Sequence, residues 1–153
     1  MQAAADSLGF RLIGHRNLNV GGAMQVIKHG DFVYVAHVGV SPLALSILDC
    51  SDPTSPRLVR QIEHLPNTHS HKVQIVGNVM IQNCEEPYVG EPSADPPPTT
   101  GLAVYNLDEA RLPARAQARR SRRRPYQSTL NGNLGLHHIV SNDSGAMYVA
   151  SHV

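Results

Sequence analysis

The sequence has no tryptophan, two phenylalanines and two cysteines in 153 residues. So few large aromatics leave the interior to aliphatic and small side chains. Cys50 and Cys84 fall at non-equivalent positions of different repeat units, described below, and read as free thiols that behave as half-buried small hydrophobes rather than as a staple. No apolar run approaches the length of a membrane span. The first residues, Met1 to Ser7, are short and polar where a secretory leader would be apolar. These two absences set the expectation of a soluble cytoplasmic protein. There is also no glycine-rich phosphate loop, nucleophile elbow, His-Glu-x-x-His helix or zinc-ribbon cysteine spacing, so no familiar catalytic motif announces itself. Charge of one sign is missing too: 13 Lys and Arg stand against 12 Asp and Glu. That balance is local. Seven of the basic residues are Arg between Arg111 and Arg124, leaving six basic against twelve acidic elsewhere, so the chain has no general basic surface.

What the sequence does have is short strands. From Met24 to Gln61, β-branched and aromatic residues fill four segments, and Gly, Asp, Ser and Pro fill the gaps between them. The segments are Met24 to Ile27, Phe32 to Ala36, Leu43 to Leu48 and Leu58 to Ile62. Gly30-Asp31 makes the first turn and Asp52-Pro53-Thr54-Ser55-Pro56 a later one. Four short antiparallel strands in about 40 residues match one blade of a β-propeller.

The unit repeats. An offset of 47 residues carries Gln25–Val35 onto Lys72–Gln82, and one of 57 carries Leu43–Asp49 onto Thr100–Asn106. A third copy starts at Leu136-His137-His138-Ile139-Val140 and continues as Ala146-Met147-Tyr148-Val149-Ala150. The predicted fold class is therefore all-β, a partial β-propeller of about two and a half four-stranded antiparallel blades. The expected division is a tail over 1–8 and a propeller domain over 9–153. Within the domain we expect a latch strand at 10–16, blade one at 23–63, blade two at 70–113 and an incomplete third blade at 136–153. A complete propeller of such blades needs roughly six to eight units, so the chain is expected to be part of a larger ring. Uncapped end blades expose apolar faces, so the isolated chain is expected to self-associate.

Two segments break the pattern. Residues 85–100, EEPYVGEPSADPPPTT, hold five prolines and read as a surface loop with polyproline character. Residues 111–128 fall where the repeat calls for an outer strand, yet Ala114 to Pro125 contains no strand former. Three readings stand for this Arg-rich stretch: an irregular basic loop, a nucleic-acid contact, or a local slip of the reading frame. Tyr126 is the only aromatic nearby for base stacking, which disfavours a dedicated nucleic-acid module.

Ser46-Ile47-Leu48-Asp49-Cys50-Ser51-Asp52-Pro53-Thr54-Ser55-Pro56-Arg57-Leu58-Val59, with Phe32-Val33-Tyr34-Val35-Ala36 before it, resembles the LVIVD-repeat β-propeller proteins. Gly14 to Asn19, Asn67 to Val73 and Gly135-Leu136-His137 look like sequence of a bacterial subgroup. The resemblance covers most of residues 9–107 and 134–153. It is weaker in the second blade, where Asn106-Leu107-Asp108-Glu109-Ala110 replaces Asp-x-Ser-Asp-Pro. It implies a propeller and assigns no activity, since propellers host many unrelated functions.

The candidate chemistry is histidine. Met24, His71 and His137 are equivalent in the repeat, at positions that line a propeller channel. Two residues along a strand bring side chains to one face about 6–7 Å apart, so His69 and His71 are predicted to point together. With His137 from the next blade they form a three-histidine metal candidate, for zinc or copper, or copper(I) if Met24 is near. The bland alternative is histidines that hydrogen-bond across blades. His15, His29, His37, His64 and His152 read as isolated surface or turn residues, and Glu85-Glu86 as carboxylates in a solvated loop. Two function classes follow: a non-catalytic binding or scaffold module of unassigned ligand or protein partner, and a metal-dependent oxidoreductase or hydrolase with a channel site.

Overall fold

The structure is a computed structural model. It describes residues 9–38, 42–85 and 101–107 in full, and the backbone of 136–141 and 147–151. Every regular element among these residues is a β-strand. Among the described residues, no helix is long and apolar enough to cross a membrane.

Four strands form the first sheet in sequence order: β1 (Ala23–His29), β2 (Phe32–His37), β3 (Leu43–Asp49) and β4 (Arg57–Glu63). All neighbours are antiparallel. Each strand exceeds its predicted span by one to three residues. β5 (Val73–Val76), β6 (Val79–Cys84) and β7 (Gly101–Asn106) form a second sheet in the same order. β8 (Leu136–Ser141) and β9 (Met147–Ser151) form a third, two-stranded unit. The chain is an all-β partial propeller.

The turns explain why these residues fold locally as they do. His29 pairs with Phe32, so Gly30-Asp31 is a two-residue hairpin loop, and Gly30 has a φ of 59°. Val76 pairs with Val79 around Gly77-Asn78, and Gly77 has a φ of 56°. A glycine with positive φ in the first loop position matches the strand twist without a Cβ penalty. The β3–β4 turn is built by carboxylates. Asp49 accepts the Ser51 N–H at 2.9 Å and pairs with Arg57. Asp52 accepts the Thr54 N–H at 2.9 Å and its hydroxyl at 2.6 Å. The Asp-Cys-Ser-Asp-Pro text is thus a turn in which each Asp satisfies backbone two residues on.

The sheets stack. Tyr34, Ala36, Leu45 and Ile47 of the first sheet share one buried cluster with Val73, Met80, Cys84, Ala103, Tyr105 and Leu107 of the second. The register places Gln25 and Ile27 opposite Ala36 and Tyr34, hence on this same face. The Gln25 side-chain oxygen accepts the Val73 N–H at 2.8 Å, so one blade caps the backbone of the next. Strand β5 lies against β1 and β2, and β8 lies against β5 and β6 in the same way.

One element departs from expectation. Residues 10–16, predicted as a latch strand, are irregular. They have strand-type residues but join none of the sheets, and a strand needs a partner to take its N–H and C=O groups. The segment is instead held near Gly14, where an added Cβ would meet the Pro53 carbonyl oxygen at 2.3 Å, and by the Leu18 carbonyl, which accepts from Gln61 Nε2 at 3.2 Å. The expected proline-rich loop beyond Glu85 and the Arg-rich stretch 111–128 lie outside the described residues.

Candidate functional site

The connection from the first sheet to the second, His64 to Lys72, carries the densest polar chemistry in the described chain. Pro66 and Asn67 turn it: the Thr68 N–H donates to Leu65 O at 3.1 Å and the Thr68 hydroxyl to Pro66 O at 3.0 Å. His69 then forms an isolated antiparallel bridge with Glu85, through His69 N–H to Glu85 O at 2.8 Å and Glu85 N–H to His69 O at 2.9 Å. Asn83 Oδ1 accepts both the His71 N–H at 3.0 Å and the Lys72 N–H at 2.8 Å. Asn83 Nδ2 donates to Glu85 Oε1. His71 Nδ1 lies 3.5 Å from the same carboxylate oxygen, with both side chains 2% exposed.

The imidazoles gather here. The rings of His69 and His71 are 4.7 Å apart between centroids, and those of His64 and His69 are stacked at 5.9 Å. His69 and His71 do project together, but from the irregular connection ahead of β5 rather than from a first strand as expected, because β5 begins only at Val73. His64 joins them, and burial together with the neighbouring His69 and His37 pushes its pKa down to about 4. His37 is fully buried at the end of β2. Its Nε2 is hydrogen-bonded to Ser46 Oγ at 2.7 Å, and Gln61 Nε2 donates to the same hydroxyl at 3.1 Å. Burial lowers the His37 pKa as well.

Several residues sit elsewhere than the sequence reading put them. His37 is not a surface residue, and His64 is at least half buried, as is His29; His15 alone of the described group is exposed. His152 lies outside the described residues. Glu85 is not in a solvated loop: the bridge to His69 draws it inside, where Asn83 Nδ2 donates to its carboxylate and His71 Nδ1 lies 3.5 Å from it. Met24 is half exposed, unlike the buried His69 and His71. His137 is carried by β8, which neighbours β5; its side chain lies outside the described residues. The signal for His37 was in the repeat. Extending the 47-residue offset two places past Val35 sets His37 against Cys84, and both are fully buried.

Among the described residues no three His, Cys, Asp or Glu side chains are placed to hold a metal ion. Burial raises the Cys84 thiol to about 11 and the Tyr105 hydroxyl to about 12, so neither offers an anionic nucleophile near neutral pH. Cys50 and Cys84 are free thiols.

Antiparallel sheets of four, three and two described strands, following one another and packed together, define a propeller-type repeat protein. Residues 20–63 match the family model of the LVIVD repeat, a span that contains all of β1 to β4, so the chain carries an LVIVD repeat there. No curated protein and no solved structure matches the chain.

Proposed function

We propose that this chain is a non-catalytic binding or scaffold module. The observation that carries this reading is the fate of its most reactive-looking groups. Glu85, His71 and Asn83 are nearly sealed from solvent and are engaged with one another and with the backbone of the connection between sheets. Buried polar networks of this kind fix a unique arrangement of elements, and a group with no route to solvent does not meet a substrate. The module presents blade faces and edges to its partner and keeps its histidines as internal clasps.

A second reading, a metal-dependent enzyme using His69, His71 and His137, draws support from the 4.7 Å approach of the first two rings and from the nearness of β8 to β5. One experiment separates the two. Under the scaffold reading, the purified chain holds well under one equivalent of zinc or copper, chelation leaves its melting temperature unchanged, and His71→Ala costs about 1–3 kcal/mol by leaving the buried Glu85 carboxylate with Asn83 but without the imidazole beside it. About one metal per chain, lost together with several degrees of melting temperature on chelation, would sink the scaffold reading in favour of the metal site.

A further inference from the structure

Among the described residues, three large apolar side chains stand exposed close together in sequence: Phe10 at 84%, Leu12 at 72% and Ile13 at 48%. A single exposed hydrophobe is ordinary on a protein surface, but three in residues 10–13 make a patch. The segment joins none of the sheets, so these side chains stand off the fold rather than packing into it. Its base is nonetheless fixed. An added Cβ at Gly14 would meet the Pro53 carbonyl oxygen at 2.3 Å and Pro56 Cδ at 3.1 Å, so the backbone there lies directly on the β3–β4 turn. Further on, the Leu18 carbonyl accepts from Gln61 Nε2 at 3.2 Å. Phe10 to Ile13 is a short projection from an anchored strap.

Charge says what the projection faces. Arg11, His15 and Arg16 are exposed, and none of them is in an ion pair among the described residues. No Asp or Glu occurs from Ser7 to Gly30. The neighbouring turn brings Asp52, whose carboxylate is turned onto the N–H and hydroxyl of Thr54, and Asp49, which is paired with Arg57. Two guanidinium groups against the Asp52 carboxylate leave the patch net cationic. Apolar side chains with arginines beside them fit a surface that is apolar within and anionic outside. An arginine stem lies along apolar surroundings while its head stays in the charged, wet layer. The irregular backbone sets the depth: its N–H and C=O groups need water or headgroups, so only side chains enter the hydrocarbon. A protein partner would have to bring a pocket shaped to each side chain, whereas a lipid interface asks only for depth and charge.

We propose that Phe10, Leu12 and Ile13, flanked by Arg11 and Arg16, dock this chain reversibly on a membrane surface that carries anionic phospholipid. This rests on the binding-module reading above and names one partner for it. The contact needs no membrane span, and it leaves the sheets and their buried histidines undisturbed.

Vesicle flotation of the 153-residue chain tests this, since aggregated protein sinks while vesicle-bound protein rises. The chain is expected to float with vesicles of phosphatidylcholine and phosphatidylserine at low salt, to stay down with phosphatidylcholine alone, and to be released as salt is raised. The double variants Phe10→Ser/Leu12→Ser and Arg11→Gln/Arg16→Gln are each expected to weaken vesicle binding at least about tenfold. Their β-sheet circular dichroism spectra are expected to be unchanged, because all four residues lie outside the sheets. A chain that stays down with both kinds of vesicle would overturn the proposal and point instead to an acidic protein surface. Equal flotation on both kinds would overturn it too, as would either double variant that floats like the parent. These outcomes bear on the partner alone, whereas metal content and its loss on chelation bear on the binding-module reading.

Discussion

His64 shows how burial turns a surface-type residue into a pH sensor of folding. In the unfolded chain it titrates near 6.5, and in the folded chain near 4. Between those values the unfolded chain binds more protons, so stability falls as pH drops through the window and is fully present above it. His37 is shifted in the same direction by the same cause. Asp49 and Asp52 have their carboxyl pKa values lowered by hydrogen bonds from Ser51 and Thr54, so they titrate below the window. We expect His64 to remove on the order of 2 kcal/mol between pH 7 and pH 4.5, measured by urea unfolding at stepped pH, and His64→Gln to flatten that slope. Equal slopes for variant and parent would show that His64 is not the group responsible. The pairing of His69 with His71 was legible from their spacing of two, although the connection that carries them is not a regular strand. The company of His64 and His37 was not, because it joins the end of β2 to a connection some 27 residues later, and that meeting is made by the stacking of sheets. Glu85 misled for a related reason: next to Glu86 and a proline-rich stretch it reads as solvated, and only the cross-chain bridge to His69 reverses that.

At the scale of the element, the first sheet was almost wholly readable. Its strands are bounded by residues whose chemistry dictates a turn, Gly30-Asp31 at one hairpin and Asp49 through Asp52 at another, so neither end was free to drift. The second sheet was harder to read at its far edge, because Asn106-Leu107 lacks the paired carboxylates that close the first. Residues 10–16 show the limit of propensity: strand-forming side chains do not make a strand without a neighbour to pair with. The hairpin glycines offer a direct check. An alanine Cβ at Gly30 or Gly77 would meet nothing within 4 Å, so only the left-handed backbone is penalised. Gly30→Ala and Gly77→Ala are each expected to cost about 1–2 kcal/mol in denaturant unfolding, and by similar amounts. A neutral substitution at either site would mean that its turn relaxes to another form.

At the scale of the whole molecule, the sheets are joined by one apolar cluster and by a connection whose backbone is bonded nearly throughout. His64, Thr68, His69, His71 and Lys72 each donate their N–H to a fixed acceptor. Links between repeats are ordinarily where a protease first cuts, since cleavage needs several residues of backbone released into an enzyme's cleft. Here that release would require undoing the Asn83 and Glu85 contacts, which amounts to parting the blades. Arg11, on the irregular exposed segment, faces no such requirement. In a brief trypsin digest followed by mass spectrometry, the Arg11–Leu12 bond is expected to be cut well before Lys72–Val73; the reverse order would mean the two blades separate more readily than the clasp implies. A clasped connection makes adjacent blades a single unit to the cell's proteases, degraded together or not at all.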